Sequence, residues 1–359
     1  MTRKLPSTGF GNRIARRRIL QGAAFMLAAP YVFSRHASAA GQVVARNPGG
    51  EYGDALRKAY YEPFTKATGI EVMGVPASAG KLLAMVEAGN VEIDVGDITE
   101  LTALVLRKRG ALVPLKYESF TFSKPEQYAS VRHPDMVGTN YSANCMAYNT
   151  QVYPTGKRPK SWAEFWDAKA FPGPRMLQSM GAGFPELEFA LLADGVPVEK
   201  LYPIDVDRAF KSLSRIKPHI AKFYDTGGVQ VDLLSSREVV LGSAYNGRIY
   251  VGMKKGAPVA IEWAGANTQL QVNCILKGSK NQENAQKYID FIMQPEVQAE
   301  FSRQIPYGPT NRKAFDVIAR DTAENLPNFF EDKIFYQNAA WWADNRDNVE
   351  RVWNEWILK

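Results

Sequence analysis

Cysteine and histidine are nearly absent from this chain: two cysteines, Cys145 and Cys274, and three histidines in 359 residues. Past residue 40 only His133 and His219 remain, far apart and in no ligand spacing, which argues against a histidine-built metal centre or a His-assisted nucleophile. The first forty positions contain no acid at all, while Arg3, Lys4, Arg13, Arg16, Arg17, Arg18 and Arg35 are basic. The net charge of +7 is therefore the charge of that segment alone. The remainder carries 37 residues of each sign, so the electrostatic footprint of a nucleic-acid partner is missing. No apolar run reaches the ~20 residues needed to cross a bilayer, and there is no internal repeat or low-complexity linker.

What the first forty residues do contain is an export signal. Ala15-Arg16-Arg17-Arg18-Ile19-Leu20-Gln21 is a paired-arginine core, followed by the apolar run from Gly22 to Phe33 and the small-x-small sequence Ala37-Ser38-Ala39. This pattern predicts a twin-arginine signal peptide over residues 1–40, cleaved near Ala39, and a periplasmic protein that crosses the membrane already folded. No cysteine follows the run, so a lipid anchor is not expected. The mature chain of about 320 residues exceeds one comfortable core and suggests two domains. The full sequence's hydrophobic share of 45% and charged share of 23% belong to an ordinary globular protein. Cys145 and Cys274 have two readings in an oxidising compartment: one disulfide, or two buried thiols.

From residue 41 the pattern alternates strand and helix. Gln42–Ala45 reads as a strand, and a helix carries Leu56, Ala59, Tyr60 and Phe64 at helical spacing until Thr68-Gly69 ends it. Ile70–Met73 and Ile93–Val95 are further strands, separated by a helix that Ser78 caps and Gly89 closes, and Glu100 to Arg109 is helical. This βαβαβα series predicts an α/β fold with a parallel sheet and helices on both faces. Beyond the strand Cys145–Tyr148, Ser161-Trp162-Ala163-Glu164 is a capping box. Arg175–Leu177, Val239–Ala244 and Gln271–Leu276 read as strands. Leu187–Leu192, Asp205–Ile216, Glu283–Met293 and Glu296–Gln304 read as helices, and Val349, Val352, Trp353, Trp356 and Ile357 share one face of a last helix.

No catalytic constellation emerges. Gly49-Gly50-x-x-Gly53 lacks both the G-x-G-x-x-G order and the Lys-Ser/Thr pair of a phosphate loop. Asp94 and Asp97 have nothing beside them that would make an acid/base pair. No metal site, no cofactor and no enzyme activity are expected. Small and aromatic polar residues instead recur at strand-to-helix turns, where open α/β sheets bind ligands. The candidates are Glu51 and Tyr52; Ser78, Ala79 and Gly80; Asp97, Ile98 and Thr99; Gly181, Ala182 and Gly183; Thr226, Gly227 and Gly228; and Tyr245, Asn246, Gly247 and Arg248.

Five ordered segments resemble the periplasmic substrate-binding proteins of ABC transporters, in the branch that contains the spermidine/putrescine binders. They are Phe64–Val72; Ala147–Thr150 with Pro159–Asp167; Ala244–Gly247; Lys277–Asn281 with Phe291–Glu296; and Tyr307–Asn311. The resemblance implies a two-lobed periplasmic binding protein fold of type II, each lobe a mostly parallel sheet flanked by helices, joined by hinge strands. Lobe 1 would comprise residues 41–143 plus 270–308, and lobe 2 residues 144–269 plus 309–359. It implies a monomer that holds a small-molecule ligand between the lobes and delivers it to a membrane permease.

The departures matter as much. The Trp-x-Asp of polyamine binders falls at Gln269-Leu270-Gln271, and no carboxylate stands between Ser179 and Gly183, where that branch has an acidic pair. Tyr245 and Tyr307 keep aromatic walls, and Arg248 stands where a small residue is usual. These changes predict a small polar solute that is not a polycation, bearing a carboxylate or phosphonate. Glu51 and Glu262 leave room for the alternative, a zwitterion or polyamine. A ligand sensor or an enzyme on the same fold is the alternative of another class. Ferric iron is disfavoured because Tyr60-Tyr61 lie inside the first helix.

Overall fold

The computed structural model describes residues 41–359 except 123–128 and 155. The expected signal peptide, with Arg16, Arg17 and the cleavage position Ala39, lies outside the described residues. The strands are β1 (Gln42–Arg46), β2 (Glu71–Val75), β3 (Val95–Thr99), the short β4 (Leu112–Val113) and β5 (Arg132–His133), and the long β6 (Met136–Asn149). They continue with β7 (Arg175–Gln178), β8 (Ile220–Tyr224), β9 (Leu241–Tyr245), the long β10 (Val259–Leu276), the short β11 (Gly308–Pro309) and β12 (Ile334–Tyr336). The sheet order is β2-β1-β3-β10-β6-β9-β7-β8. β1 is parallel to β2 and β3, and β7 is parallel to β8 and β9, whereas β10 runs antiparallel to both β3 and β6. Two parallel βα units are thus joined through one antiparallel pair, β6 and β10.

Each unit has its own apolar packing. Alternation along β1 sends Val43 and Ala45 to one face, with Phe64, Tyr288 and Phe301, and Val44 to the other, with Leu82, Ile98 and Leu106. Helices therefore cover both faces of the first unit, as the βαβ series predicts. The other end is built on Trp162, Phe189, Phe210, Leu241, Trp342 and Trp353, with Met176, Tyr224 and Ala244 in a further cluster. Ala314, Ile318, Ala323 and Leu326 pack with Ala299 of the helix Pro295–Gln304.

Several elements differ from the sequence pattern for identifiable reasons. The third strand begins at Val95 because Asp94 turns its carboxylate to the backbone N–H of Val44 (2.8 Å) and to the Ser279 hydroxyl (2.7 Å). Asp97 consequently lies within the strand rather than in the turn after it. The first helix is interrupted by a π-helical stretch, Arg57–Tyr61, which buries Tyr60 and Tyr61. Cys145 and Cys274 are buried free thiols, which donate to Ala244 O and Gly96 O; burial raises both above the usual thiol range. No helix among the described residues is long and apolar enough to cross a membrane.

The cap at Ser161 forms as read: its Oγ accepts from Glu164 N at 3.2 Å, while the Glu164 carboxylate reaches back to Lys160 N at 2.6 Å. Trp342 is fully buried against Phe184, and its indole N–H donates to the equally buried Glu188 (2.7 Å). Replacing Trp342 with Ala empties a large volume and strips a partner from a buried carboxylate. The expected loss is about 3–5 kcal/mol in guanidinium unfolding; a loss under about 1 kcal/mol would show that the last helix is dispensable to this core.

Candidate functional site

A cavity of about 300 Å³ opens where the carboxyl ends of β1 and β3 meet the middle of β6 and β10 and the start of the helix Asn246–Lys254. Its aromatic walls are Tyr52, Tyr245 and Tyr307, its polar floor is Ser142, Gln269 and Gln271, and Thr99 and Thr102 form one rim. Arg46 and Arg248 supply its charge, and no Asp or Glu among the described residues lines it.

The helix start is fixed by Asn246, which is fully buried. Its Oδ1 accepts from Ala143 N of β6 (3.0 Å), and its Nδ2 donates to Pro306 O (2.6 Å). One amide thus ties together three chain segments and sets Tyr245, Arg248 and Tyr307 around one space. Two glycines leave room for them. A Cβ on Gly247 would lie 2.6 Å from the Tyr307 ring, and one on Gly227 would lie 2.8 Å from Arg248 Nε. The Arg248 guanidinium makes no hydrogen bond or ion pair among the described residues, and the buried Gln269 Nε2 also has no partner. Arg46, by contrast, is tied to the carbonyls of Ala77 (3.0 Å) and Asp97 (2.8 Å).

Carboxylates stand behind the wall. Asp97 is buried and accepts from the Tyr52 hydroxyl (2.8 Å) and Asn273 Nδ2 (3.2 Å). Burial pushes its pKa up to about 6, with the Tyr52 hydrogen bond and Arg46 pulling it back. Behind Tyr245 a chain of hydrogen bonds runs inward: the Tyr245 hydroxyl donates to Gln178 Oε1 (3.1 Å). Asn144 Nδ2 donates to that same oxygen (3.1 Å) and to Glu186 Oε1 (2.7 Å). Burial pushes Glu186 up to about 8 and the Tyr307 hydroxyl up to about 12, the latter restrained by Arg248.

Seven of the residues picked from the sequence line this cavity: Tyr52, Thr99, Tyr245, Arg248, Gln269, Gln271 and Tyr307. Asp97 sits one layer behind Tyr52, and Gly227 lies beneath Arg248. The others are elsewhere. Glu51 is exposed and pairs with Lys255 (2.7 Å). Ser78 is exposed and caps the helix Ala79–Glu87, which Ala79 opens. Gly181 borders a different cavity beside Asp225 and Trp353, Gly228 has open space around it, and Glu262 is held by Arg158 (2.6 Å). Ile98, between Asp97 and Thr99 in the same candidate turn, also lines the cavity that holds Arg248, whereas the sequence reading missed Arg46, Pro48, Thr102 and Ser142. Arg46 closes β1, which a search for small polar turn residues passes over. Ser142 lies inside β6, where no turn marks it. Thr102 carries a signal, since it sits three residues after the helix cap Thr99, whose hydroxyl it meets at 3.0 Å. No group of three or more His, Cys, Asp or Glu among the described residues is placed to hold a metal ion.

The model of one family, "Bacterial extracellular solute-binding protein", matches residues 59–331. The chain belongs to this family. It is 33% identical to the gamma-aminobutyric acid-binding protein of Pseudomonas aeruginosa over 321 residues, which is 87% of this chain and 89% of that one. A solved structure described as the Atu4243-GABA receptor superposes with a TM-score of 0.80 at 32% identity, covering 88% of this chain and 97% of the other. The spermidine/putrescine-binding periplasmic protein 1 of Haemophilus influenzae is less similar, at 23% identity over 80% of this chain and 81% of that one. The fold is that of the periplasmic binding proteins, and the protein is a solute-binding component of an ABC importer for a small solute.

Glu186 offers a test of the layer behind Tyr245. A carboxyl group whose pKa rises on folding favours the native state while protonated; that contribution is present below about pH 4.5 and fades as pH climbs through about 8. Between pH 5 and pH 8 the melting temperature of the native sequence should therefore fall about 3 °C further than that of Glu186→Gln. Parallel curves from thermal circular dichroism would remove Glu186 from this account.

Proposed function

We propose that this protein captures a small zwitterion of the ω-amino acid type, as γ-aminobutyrate is, and passes it unaltered to its permease. The observation that carries the reading is the Arg248 guanidinium, unpartnered among the described residues, facing a cavity that no described acidic side chain lines. A carboxylate there gains a charge-assisted contact, joined by the free Gln269 Nε2 and the opening N–H groups of the helix at Asn246. The ammonium end would meet the tyrosine faces and the oxygen of Tyr52, whose hydroxyl is held toward Asp97. A polyamine would instead face two arginines, which disfavours the polyamine alternative. The names of the γ-aminobutyrate-binding relatives support the same choice.

The protein would act as a periplasmic monomer, freed of its twin-arginine leader near Ala39. Its two lobes would divide at the crossings of β6 and β10, close to residues 143 and 270. The packing of Ala314 and Leu326 on Ala299 favours a final return near Ile334 over one at residue 309. Transport is preferred to catalysis because no nucleophile–base pair faces the cavity.

Isothermal titration of the mature protein with γ-aminobutyrate, putrescine and spermidine tests the reading. Binding of the amino acid is expected, with Arg248→Ala weakening it about 10- to 100-fold. Tight spermidine binding without γ-aminobutyrate binding, or an unchanged Kd in Arg248→Ala, would overturn it.

A further inference from the structure

The two strands that floor the cleft have another face. Side chains alternate along a strand, so Ser142, Gln269 and Gln271 on the cleft side send Tyr141, Thr268 and Leu270 the opposite way. Cross-strand register agrees: Gln269 stands opposite Ser142, and Leu270 opposite Tyr141. On that rear face lies a separate cavity of about 590 Å³, completed by Tyr336 and Gln337 at the end of β12 and by Glu100 and Glu331.

Its chemistry is the inverse of the cleft. Among the described residues, the cleft is lined by two arginines and no carboxylate, whereas the rear cavity is lined by two carboxylates and no lysine or arginine. The Tyr141 and Tyr336 rings meet edge to face with centroids 5.4 Å apart, and Tyr336 is 47% exposed. Two polar groups there have no partner. Thr268 is only 1% exposed, yet its Oγ1 makes no hydrogen bond, and the buried Gln337 Nε2 makes none either. Glu100 lies 3.0 Å from His133 Nε2, while Glu331 is exposed and has no salt bridge among the described residues.

We propose that this rear cavity is a second binding site, for a small organic cation that carries a hydroxyl group, such as an ammonium alcohol. The cationic head sits on the tyrosine rings and faces the two carboxylates. The hydroxyl bonds to Thr268 Oγ1 and accepts from Gln337 Nε2, so occupancy supplies both buried atoms with the partners they lack. A simple anion is excluded by Glu100 and Glu331, and a purely apolar guest would leave Thr268 and Gln337 unpaired.

Choline is the probe, titrated into the full mature protein and into three variants by calorimetry and NMR shift mapping. Thr268→Val removes the hydroxyl at nearly constant volume, Tyr336→Ala removes an exposed ring, and Arg248→Ala alters the cleft alone. Choline should bind the native protein, bind about 5- to 10-fold more weakly to Thr268→Val and to Tyr336→Ala, and bind Arg248→Ala unchanged. No binding at tens of millimolar choline would overturn the proposal. So would equal affinities in the native protein and Thr268→Val, or choline-induced shifts centred on Tyr245 and Tyr307 with an affinity that Arg248→Ala raises, which would put choline in the cleft.

Discussion

The antiparallel pairing of β6 with β10 is the constraint from which the rest of the molecule follows. Its register runs from Asn149 opposite Val259 to Met136 opposite Cys274, with irregularities between Glu262 and Asn267 and between Gln271 and Val272. One end of the pair adjoins β3 and the other adjoins β9. Both parallel units therefore hang on these two strands, and any ligand held where the units meet must touch them. Because β6 is buried along its whole length, its polar residues need partners from within the protein. Asn144 finds Gln178 and Glu186, and Thr139 accepts from Asn273 and Asn140. Polar residues in the interior of a strand pair are costly unless bonded, so their presence marks the place where the strands serve the cleft.

Negative charge is kept behind the cavity wall by the same economy. Asp97 does not line the cavity; the Tyr52 hydroxyl on the cavity wall bonds to it, and burial raises its pKa toward neutrality. Arg46 has its donors spent on two backbone carbonyls. Arg248 is the one lining cation among the described residues whose guanidinium has no such partner, and Gly227 makes the space it occupies. A carboxylate entering the cavity meets a charge that has no competing internal bond. The exposed pair Glu51–Lys255 is a surface contact of the kind that contributes little.

Much of the fold was legible because local signals carried it. Ser78, Thr99, Ser161 and Asp205 cap helices with side-chain oxygens, as their residue types suggest, and Gly69 ends a helix in the left-handed region. The long strands were only partly legible. Cys145–Tyr148 and Gln271–Leu276 show apolar runs, whereas Asn140, Ser142, Asn144 and Thr268 break the alternation that a half-buried strand would show. Those are the residues that tertiary contacts, and not propensity, hold in the sheet. The site divides in the same way. Positions at strand-to-helix turns, such as Thr99 and Tyr245, could be read, and so could departures from a family pattern, such as Gln269 and Arg248. Ser142 and Arg46 could not, because they acquire their place only through pairing across the sheet. Gly181 shows the reverse: its turn composition matched a ligand loop, but Ser179 and Asp225 use that turn to close on each other.

Selectivity in this cavity is best understood as a consequence of what holds Asn246. Its side chain fixes the backbone of β6 and the segment before Tyr307, and its neighbours on the chain are Tyr245 and Gly247, with Arg248 one residue further. The aromatic walls and the cation therefore share one anchor and cannot be tuned independently. Exchanging Gln269 and Gln271 for a bulkier or acidic residue changes the floor without disturbing that anchor, whereas any Cβ at Gly247 would drive into the Tyr307 ring at 2.6 Å. Within this architecture the charge at the cavity comes from Arg46 and Arg248, while the floor and rim residues Ser142, Gln269, Gln271, Thr99 and Thr102 are neutral. Two of the three tyrosines around the cavity, Tyr245 and Tyr307, are held in register by one buried amide, and Tyr52 is placed separately by its bond to Asp97.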